Sequence, residues 1–416
     1  MSEVKNMQIL PTDRQLEFLD WEFGVFFHFG IRTFYEGHKD WDGLEMPLEG
    51  FNPTELNCED WIQTSRDAGA KYAILVCKHH DGFANWPSKY TDYAIHNTPF
   101  RNGRGDVVKE FTDACRKFGL KVGLYYSPAQ MGYSEIDDSA YDDYFINQIS
   151  ELLTGYGKID YLWFDGCGSE GHSYDTKRIV AEIRRLQPEI MLFNMWDPDT
   201  RWVGNEAGLA PVNVEYVVNR VPFSEKNEPD DELGQDMFLP PECDVTMRKD
   251  NWFYSDSDED TVKSVEELMG LYYYSVGNGA NLLLNIGPDR RGLLPEKDKQ
   301  ALLAFGREVK RRFQSPVAQG FTVEENEATV LLDELTLVDH VVIEEDLKTG
   351  DPVSEFEIFV KPHKGWHGGI QVYCGKTIGH KRIVRIPAVS AEQVSVVFRS
   401  KEGKAKLKDV KLYCLK

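Results

Sequence analysis

Residues 72–82 read YAILVCKHHDG, a short apolar run that ends in a lysine, two histidines and an aspartate. An uninterrupted apolar run of this length is typical of a strand buried on both faces of a parallel sheet. The polar residues that follow it stand at the carboxyl end of that strand, where parallel α/β folds place their binding and catalytic groups. This one stretch therefore predicts both a fold class and the position of a site.

Similar strand candidates recur along the first three quarters of the chain. They are Val25–Phe29, Val122–Tyr126, Tyr161–Phe164, Met191–Phe193 and Leu282–Ile286. Segments with helical periodicity lie between them, namely Val107–Phe118, Tyr141–Leu153, Thr176–Leu186, Thr261–Ser275 and Glu296–Phe313. This repeated alternation favours an α/β fold of the TIM-barrel type, (β/α)8-like, over an open doubly wound sheet. No glycine-rich phosphate loop follows any of the strands, which argues against nucleotide binding.

The sequence pattern changes after about Pro316. Short alternating runs separated by turn residues follow, at Ala328–Leu332, His340–Ile343, Glu355–Val360, Ile370–Tyr373, Arg382–Ile386, Val394–Phe398 and Val410–Tyr413. We therefore expect a catalytic barrel over residues 1–315 and a C-terminal all-β sandwich over residues 316–416. Residues 361–416 carry 13 Lys and Arg but only 3 Asp and Glu. We interpret this basic tail as a solvated surface, with a partner or ligand patch as the alternative.

Composition excludes several classes of protein. The 416 residues include 69 Asp and Glu against 47 Lys and Arg, a net charge of −22, so we expect no nucleic-acid partner. No run approaches the roughly 18 apolar residues of a membrane helix, and we expect no membrane association. The N-terminus lacks the apolar run of a signal peptide, which predicts a cytoplasmic protein, or a periplasmic or secreted one if a leader was trimmed. Seven scattered cysteines indicate reduced thiols, and nothing indicates the oligomeric state.

Polar side chains close the other strands as well. His28 lies at the end of the first strand, Tyr126 ends the third and Asp165 follows the fourth. In a barrel these residues and the His79–His80 pair meet at one mouth. Adjacent strand residues point to opposite faces, which disfavours joint metal ligation by His79 and His80 unless the strand has already ended. We predict no metal and no cofactor, and a metal-dependent barrel hydrolase is the weaker alternative.

Sugar chemistry fits these residue types better. Glycosidases generally use two carboxylates, and Asp165 is the first candidate because its position after an apolar run makes its burial costly unless the surroundings offset it. Glu206, between glycines in WVGNEAG, is the candidate for the second. The alternatives for that role are Glu215 and Glu242. Aromatic platforms near the predicted mouth are supplied by Trp41 and Trp163.

Several motifs together resemble the α-L-fucosidases of glycoside hydrolase family 29. WEFGVFFHFG, KHHDGFANWPS, VGLYYS and YLWFDG occur in order across residues 21–166, and NEAG, PPECDVTMRKDNWFY and NLLLNIGP extend the match to about residue 288. The resemblance implies a barrel followed by a β-sandwich, and a retaining exo-α-L-fucosidase with Asp165 as the nucleophile that forms a covalent fucosyl-enzyme. It also implies that fucose is surrounded by His28, Asp40, Trp41, His79, His80, Tyr126 and Trp163.

The segments RWVGNEAG and PPECD resemble one branch of that family, which cleaves α-1,3- and α-1,4-linked fucose from branched, Lewis-type glycans. This finer resemblance implies that Glu206 is the acid/base and that Glu242 and Trp252 contact the aglycone. The expected partner is a fucosylated oligosaccharide or glycoconjugate. The alternative from another functional class is a barrel that binds fucosylated glycans without cleaving them, although such a protein would be free to lose Asp165.

Overall fold

The computed structural model describes residues 9–129, 137–168, 172–222, 231–348, 352–363, 368–400 and 405–415. Its first part contains strands β1 Phe23–Phe27, β2 Tyr72–Lys78, β3 Lys121–Tyr126, β4 Tyr161–Phe164, β5 Met191–Phe193, β6 Arg201–Trp202, β7 Val217–Val221, β8 Asp231–Phe238, β9 Pro241–Thr246 and β10 Asn281–Ile286. All but β7 and β8, which form a hairpin, pair in parallel in the order β5-β4-β3-β2-β1-β10-β9-β6. A parallel bridge between Phe193 and Thr200 joins the two edges, so the sheet closes into the predicted barrel.

The helices in the described ranges are α1 Asp13–Trp21, α2 Cys58–Asp67, α3 Val107–Phe118, α4 Asp138–Gly155, α5 Thr176–Leu186, α6 Val265–Tyr274 and α7 Glu296–Phe313. The predicted bounds of α3, α5 and α7 are confirmed. Helix α6 begins four residues later than predicted, because Ser264 and Glu267 form a capping box that fixes its start. None of the helices in these ranges is both long and apolar enough to cross a membrane.

Large aromatic side chains fill the N-terminal end of the barrel. Phe18 and Trp21 of α1 pack against Tyr161 and Tyr72, with ring centroids 5.3 Å apart in both pairs. These two tyrosines begin β4 and β2, so α1 closes the barrel from below. The opposite end, where the strands finish, is left open.

The C-terminal part is an antiparallel sheet. Its strands are β11 Ala318–Gln319, β12 Thr322–Glu324, β13 Glu327–Glu345, β14 Val353–Lys361, β15 Ile370–Gly375, β16 Arg382–Ser400 and β17 Leu407–Tyr413. The long strands β13 and β16 each contain two of the predicted short strands. Register shifts at Leu331/Thr336 and Val338/His340 interrupt the ladder between them, and such irregularities bend a strand, so the sequence pattern breaks without a turn. Both halves of the bent sheet bury one shared core, which is the predicted sandwich.

Polar contacts attach this sheet to the barrel away from its open end. Arg382 donates to Asn278 Oδ1 at 2.9 Å, and the backbone N–H of His380 donates to the Tyr216 hydroxyl at 2.9 Å. Lys381 forms an ion pair with Glu22, just before β1 and therefore at the closed end. The second sheet thus leaves the mouth of the barrel accessible.

Candidate active site

A cavity of about 390 Å³ opens at the carboxyl ends of the barrel strands. Its lining residues are Phe26, His28, Asp40, Trp41, His79, His80, Tyr125, Trp163, Phe164, Asp165, Gly166, Cys167, Phe193, Asn194, Trp202, Glu206, Asp244 and Trp252. All of them come from the barrel. Nine are residues predicted from the sequence, and the mouth therefore lies where the polar residues after the strands indicated.

Asp165 is held in place by donors on both carboxylate oxygens. The Tyr125 hydroxyl donates to Oδ2 at 2.7 Å, the backbone N–H of Cys167 donates to Oδ1 at 2.9 Å, and His80 Nε2 lies 3.5 Å from Oδ2. The side chain is still 26% exposed, on the cavity side. This carboxylate is thus oriented and remains open to a ligand.

The prediction for Tyr126 is wrong, and its neighbour takes the place in the cavity. Tyr126 points out of the barrel, where its hydroxyl donates to Gln148 Oε1 of α4 at 2.7 Å and its ring packs against Phe145. Successive side chains of a strand point to opposite faces, so Tyr125 points inward to Asp165. The motif offers two adjacent tyrosines and does not show which of them faces the barrel interior.

Three histidines at the mouth are held neutral. Burial lowers the pKa of His28 to about 3, and it also holds the pKa of His79 well below its usual value and lowers that of His80. His28 Nδ1 lies 2.7 Å from Asn285 Oδ1, and His80 Nδ1 lies 2.6 Å from Ser127 Oγ. Neutral imidazoles can each donate and accept, which suits hydroxyl groups better than a charged ligand.

Both adjacent histidines face the cavity, contrary to the expectation from strand alternation. β2 ends at Lys78 after a register shift between Val76 and Lys78, so His79 and His80 already belong to the loop. Ligand atoms of these two histidines and Asp165 all lie within 4.8 Å of one another. Among the residues the structure describes, this group has the composition of a three-ligand metal site, which leaves the metal-dependent alternative open to test.

A stack of flat rings forms one wall of the cavity. Centroid distances are 5.5 Å from His79 to Tyr125, 5.4 Å from Tyr125 to Trp163 and 4.1 Å from Trp163 to Phe193, with interplanar angles of 21° or less. The Trp163 indole N–H donates to Glu242 Oε1 at 2.9 Å, which fixes the position of that ring. Such a wall presents apolar surface to the weakly polar face of a sugar.

Glu242 lies below the cavity, so the predicted contact with an aglycone is wrong. It is fully buried in the barrel interior, where it accepts hydrogen bonds from the Tyr72 and Tyr161 hydroxyls as well as from Trp163. Burial raises its pKa to about 7 in spite of these donors. Its position explains the error, because the PECD segment is strand β9 and Glu242 is one inward-facing layer beneath the mouth.

Glu206 is the candidate for the second carboxylate that lines the cavity. Glu215 is exposed and lies outside the lining, and Glu242 is buried below it. The loop that carries Glu206 is fastened to β9, since Val203 N–H donates to Glu242 O at 3.0 Å and Gly208 N–H donates to Asp244 O at 3.1 Å. Gly208 has φ +72°, and a Cβ there would meet Val245 at 2.9 Å, so this tight approach requires glycine.

Asp40, Trp41 and Trp252 complete the rim. Asp40 Oδ2 accepts the backbone N–H groups of Trp252 at 2.5 Å and Phe253 at 3.2 Å, which anchors the Trp252 loop over the mouth. Trp41 is 55% exposed, and the Lys39 ammonium lies 4.8 Å from its ring centroid. The outer part of the site is therefore aromatic and open to solvent.

Sequence reasoning missed Asp244, a buried carboxylate in the lining. Trp202 Nε1 donates to its Oδ1 at 2.7 Å. Burial, followed by the negative charge of Glu206, holds the pKa of Asp244 well above its usual range. The signal was its spacing of two from Glu242, which places both on one face of a strand. These two carboxylates interrupt the apolar run of the six-residue strand β9, so the sequence pattern did not predict it.

A barrel mouth that combines an oriented carboxylate, a second carboxylate, neutral histidines and an aromatic wall defines a glycoside hydrolase site. Residues 5–312 match the family described as Alpha-L-fucosidase. The chain belongs to the α-L-fucosidase family and is a glycoside hydrolase that acts on fucosylated glycans.

Relatives and solved structures agree with this assignment. The chain is 32% identical to Alpha-L-fucosidase 1 of Arabidopsis thaliana, over 90% of this chain and 81% of that protein. It superposes with a TM-score of 0.87 on a glycoside hydrolase 29 family member from an unknown rumen bacterium, at 30% identity over 98% of this chain and 78% of that one. A Ruminococcus gnavus GH29 fucosidase in complex with fucose gives a TM-score of 0.85 at 25% identity, over 97% and 95% of the two chains. The predicted family, fold and enzyme class are confirmed.

Proposed function

We propose that this enzyme is a retaining exo-α-L-fucosidase that releases terminal α-1,3- or α-1,4-linked fucose from branched, Lewis-type glycans. The proposal rests on one observation above all. Asp165 is oriented by Tyr125, Cys167 and His80 in the same cavity that Glu206 lines from the loop after β6. Two carboxyl groups at one mouth, one to attack and one to donate a proton, are what the two-step mechanism requires.

The first step transfers fucose to the enzyme. An Asp165 oxygen attacks the anomeric carbon, the bond from that carbon to the glycosidic oxygen breaks, and Glu206 gives its proton to the departing oxygen. The Tyr125 hydroxyl and the Cys167 N–H hold the attacking carboxylate in one orientation. Neutral His28, together with His79, is placed to hydrogen-bond sugar hydroxyls without neutralising the nucleophile.

The second step releases the sugar. Glu206, now ionised, takes a proton from water, whose oxygen attacks the anomeric carbon and displaces Asp165. Two inversions give net retention. The oxygens and protons balance, since the enzyme regains the proton on Glu206 that it gave to the leaving group.

Exo action is supported by the shape of the site. The cavity ends on the ring wall and on the filled barrel interior that contains Glu242, so a chain cannot pass through it. Fucose carries a methyl group in place of a hydroxymethyl group, and the Trp163 and Phe26 rings offer an apolar surface for it. The RWVGNEAG and PPECD segments support the α-1,3/1,4 preference, with the exposed Trp41 and the half-buried Trp252 on the aglycone side.

The test is a release assay on α-1,2-, α-1,3-, α-1,4- and α-1,6-linked fucosides, including branched trisaccharides, with the anomer of the first product followed by NMR. We expect faster release from the branched α-1,3 and α-1,4 compounds and initial formation of α-L-fucose. Preference for α-1,2 or α-1,6 linkages would overturn the specificity, and initial β-L-fucose would overturn retention. Binding of an aryl α-L-fucoside without hydrolysis would support the glycan-binding alternative.

A chelator distinguishes the metal-dependent alternative. Dialysis against EDTA should leave kcat unchanged, because the proposed steps use the Asp165 and Glu206 carboxyl groups alone. Loss of activity that added Zn²⁺ restores would assign the His79, His80 and Asp165 group to a metal and overturn the proposal.

A further inference from the structure

Asp244 is a second carboxyl group on the proton-donor side of the cavity. It lies on β9 two residues after Glu242, and both side chains point into the barrel, Glu242 in the filled layer and Asp244 at the mouth. Only 3% of the residue is exposed. Its one hydrogen bond to a side chain in the described ranges comes from the neutral Trp202 indole, at 2.7 Å.

The Glu206 loop lies directly against this strand. Ala207 forms an antiparallel bridge with Val245, and Gly208 N–H donates to Asp244 O. Glu206 directly precedes Ala207 and Asp244 directly precedes Val245, so both residues flank this bridge. Both side chains line the same cavity. These backbone contacts hold the two residues on the same side of the cavity, close enough for the charge of Glu206 to act on Asp244.

Among the residues that the structure describes, those around Asp244 supply negative charge and no cation that is bonded to it. The charged and titratable groups that adjoin Asp244 or share its cavity are Glu206 from the loop, Glu242 from β9, Asp40 from the rim, His28 after β1, His79 and His80 after β2, Tyr125 from β3, and Asp165 and Cys167 after β4. Arg201 lies on β6, which pairs with β9. Arg201 donates to the carbonyl oxygens of Trp202 and Glu215 instead. Lys263, near the start of α6, donates to the carbonyl oxygens of Thr246 and Arg248. Burial and the nearby carboxylates both favour a protonated Asp244.

We propose that Asp244 is a positioning residue for the proton donor, and that its carboxyl group shares a single proton with that of Glu206. This inference rests on the proposed role of Glu206. Two neighbouring carboxyl groups lose their last proton at a higher pH than either would alone, because the second negative charge is repelled by the first. The pair therefore keeps a proton available for the glycosidic oxygen at neutral pH.

The same arrangement serves both steps of the reaction. In the first step Glu206 gives the shared proton to the leaving oxygen, which leaves the pair with two negative charges. In the second step this repulsion makes Glu206 a stronger base towards water, and the pair regains its proton. No further reactant is needed.

The test is the pH dependence of kcat/KM for Asp244→Asn on a branched fucosylated trisaccharide. The alkaline limb should move to lower pH by about one unit, because Glu206 then titrates without the negative charge of Asp244 beside it. On a dinitrophenyl α-L-fucoside, whose leaving group needs no proton, the variant should lose much less kcat/KM than on the trisaccharide. Trp202→Phe should shift the limb the other way, since it removes the donor that stabilises the Asp244 carboxylate.

Asp160→Asn is the matched control. Asp160 lies at the closed end of the barrel, where its Oδ2 accepts the Val122 N–H at 2.9 Å, and this variant should leave the limb in place. The inference would be overturned if the alkaline limb of folded Asp244→Asn did not move, or if kcat/KM fell equally on both substrates. If that variant does not fold, Asp244→Ser should show the same shift, and an unmoved limb there counts equally against it. Full activity of Glu206→Gln on the trisaccharide would instead overturn the proposed function.

Discussion

The two ends of the barrel are built from the same strands but for opposite purposes. At the N-terminal end, Phe18 and Trp21 of α1 cover Tyr72 and Tyr161, and Glu22 pairs with Lys381 of the second sheet. At the mouth, Asp165 and Asp244 accept hydrogen bonds from hydroxyl, indole and backbone donors, and no Lys or Arg in the described part of the chain bonds to either of them. The charged groups form an ion pair at the end that stabilises the fold. The carboxyl groups at the mouth instead accept hydrogen bonds from neutral donors, so their protonation can change during the reaction.

Removing the mouth's central carboxylate should have the largest effect. Asp165→Ala should lower kcat on an aryl α-L-fucoside by at least about a thousandfold, because the covalent step loses its nucleophile. Added azide should restore turnover and give a fucosyl azide of inverted configuration. Near-wild-type activity would show that the reaction does not depend on the Asp165 carboxylate. Circular dichroism provides the control for folding.

The second carboxylate should matter according to the leaving group. Glu206→Gln should lower kcat/KM by about 10²–10⁴-fold on oligosaccharides, which need a proton on the departing oxygen, and far less on a dinitrophenyl fucoside. Glu215→Gln is the matched control, because Glu215 is also exposed but lies outside the cavity. If the two variants lost equal activity, the assignment of Glu206 would be wrong.

Glu242 lies in the barrel interior, between the closed end and the mouth. Its effect on stability tests whether it belongs with the groups that stabilise the fold or with those of the mouth. Its pKa of about 7 lies above the ordinary value of 4.5, so the folded enzyme binds more protons than the unfolded chain between these pH values and loses stability as pH rises through them. Glu242→Gln should remove up to about 3 kcal/mol of that pH dependence. Urea unfolding of both proteins at pH 5 and pH 8 measures it, and parallel curves would contradict the assignment.

The smallest effects should come from the two adjacent tyrosines. Tyr125→Phe removes a donor from Asp165 and should lower kcat about tenfold, roughly the 1.4 kcal/mol of one hydrogen bond to a charged group. Tyr126→Phe removes the bond to Gln148 and should cost about 1 kcal/mol of unfolding free energy while kcat stays unchanged. The reverse result would place the wrong tyrosine at the mouth.

Much of this site could be read from the sequence, for a simple reason. His28, His79, His80 and Asp165 each come within three residues of the end of an uninterrupted apolar run, and the ends of parallel strands meet at one edge. That rule needs no knowledge of side-chain direction once a strand has ended, and it located all four in the cavity lining.

The rest depended on information that sequence periodicity does not carry. Tyr125 and Tyr126 lie in a run that is apolar on both faces, so alternation could not distinguish them. Strand β9 was not predicted because Glu242 and Asp244 replace the expected apolar residues at inward positions. In the second domain, β13 and β16 were each predicted as two strands because bulges interrupt their alternation.

The closure of the barrel has a consequence for how this enzyme can vary. The wall is thinnest between β5 and β6, strands of three and two residues joined by the bridge from Phe193 to Thr200. Glu206 lies in the loop after β6, next to this seam between β5 and β6. Asp165 instead follows β4, which is paired on both sides. Insertions near the seam can therefore move Glu206, the proposed proton donor, and reshape the outer subsite while Asp165, the proposed nucleophile, stays in place. Substrate preference can then change without rebuilding the reaction centre.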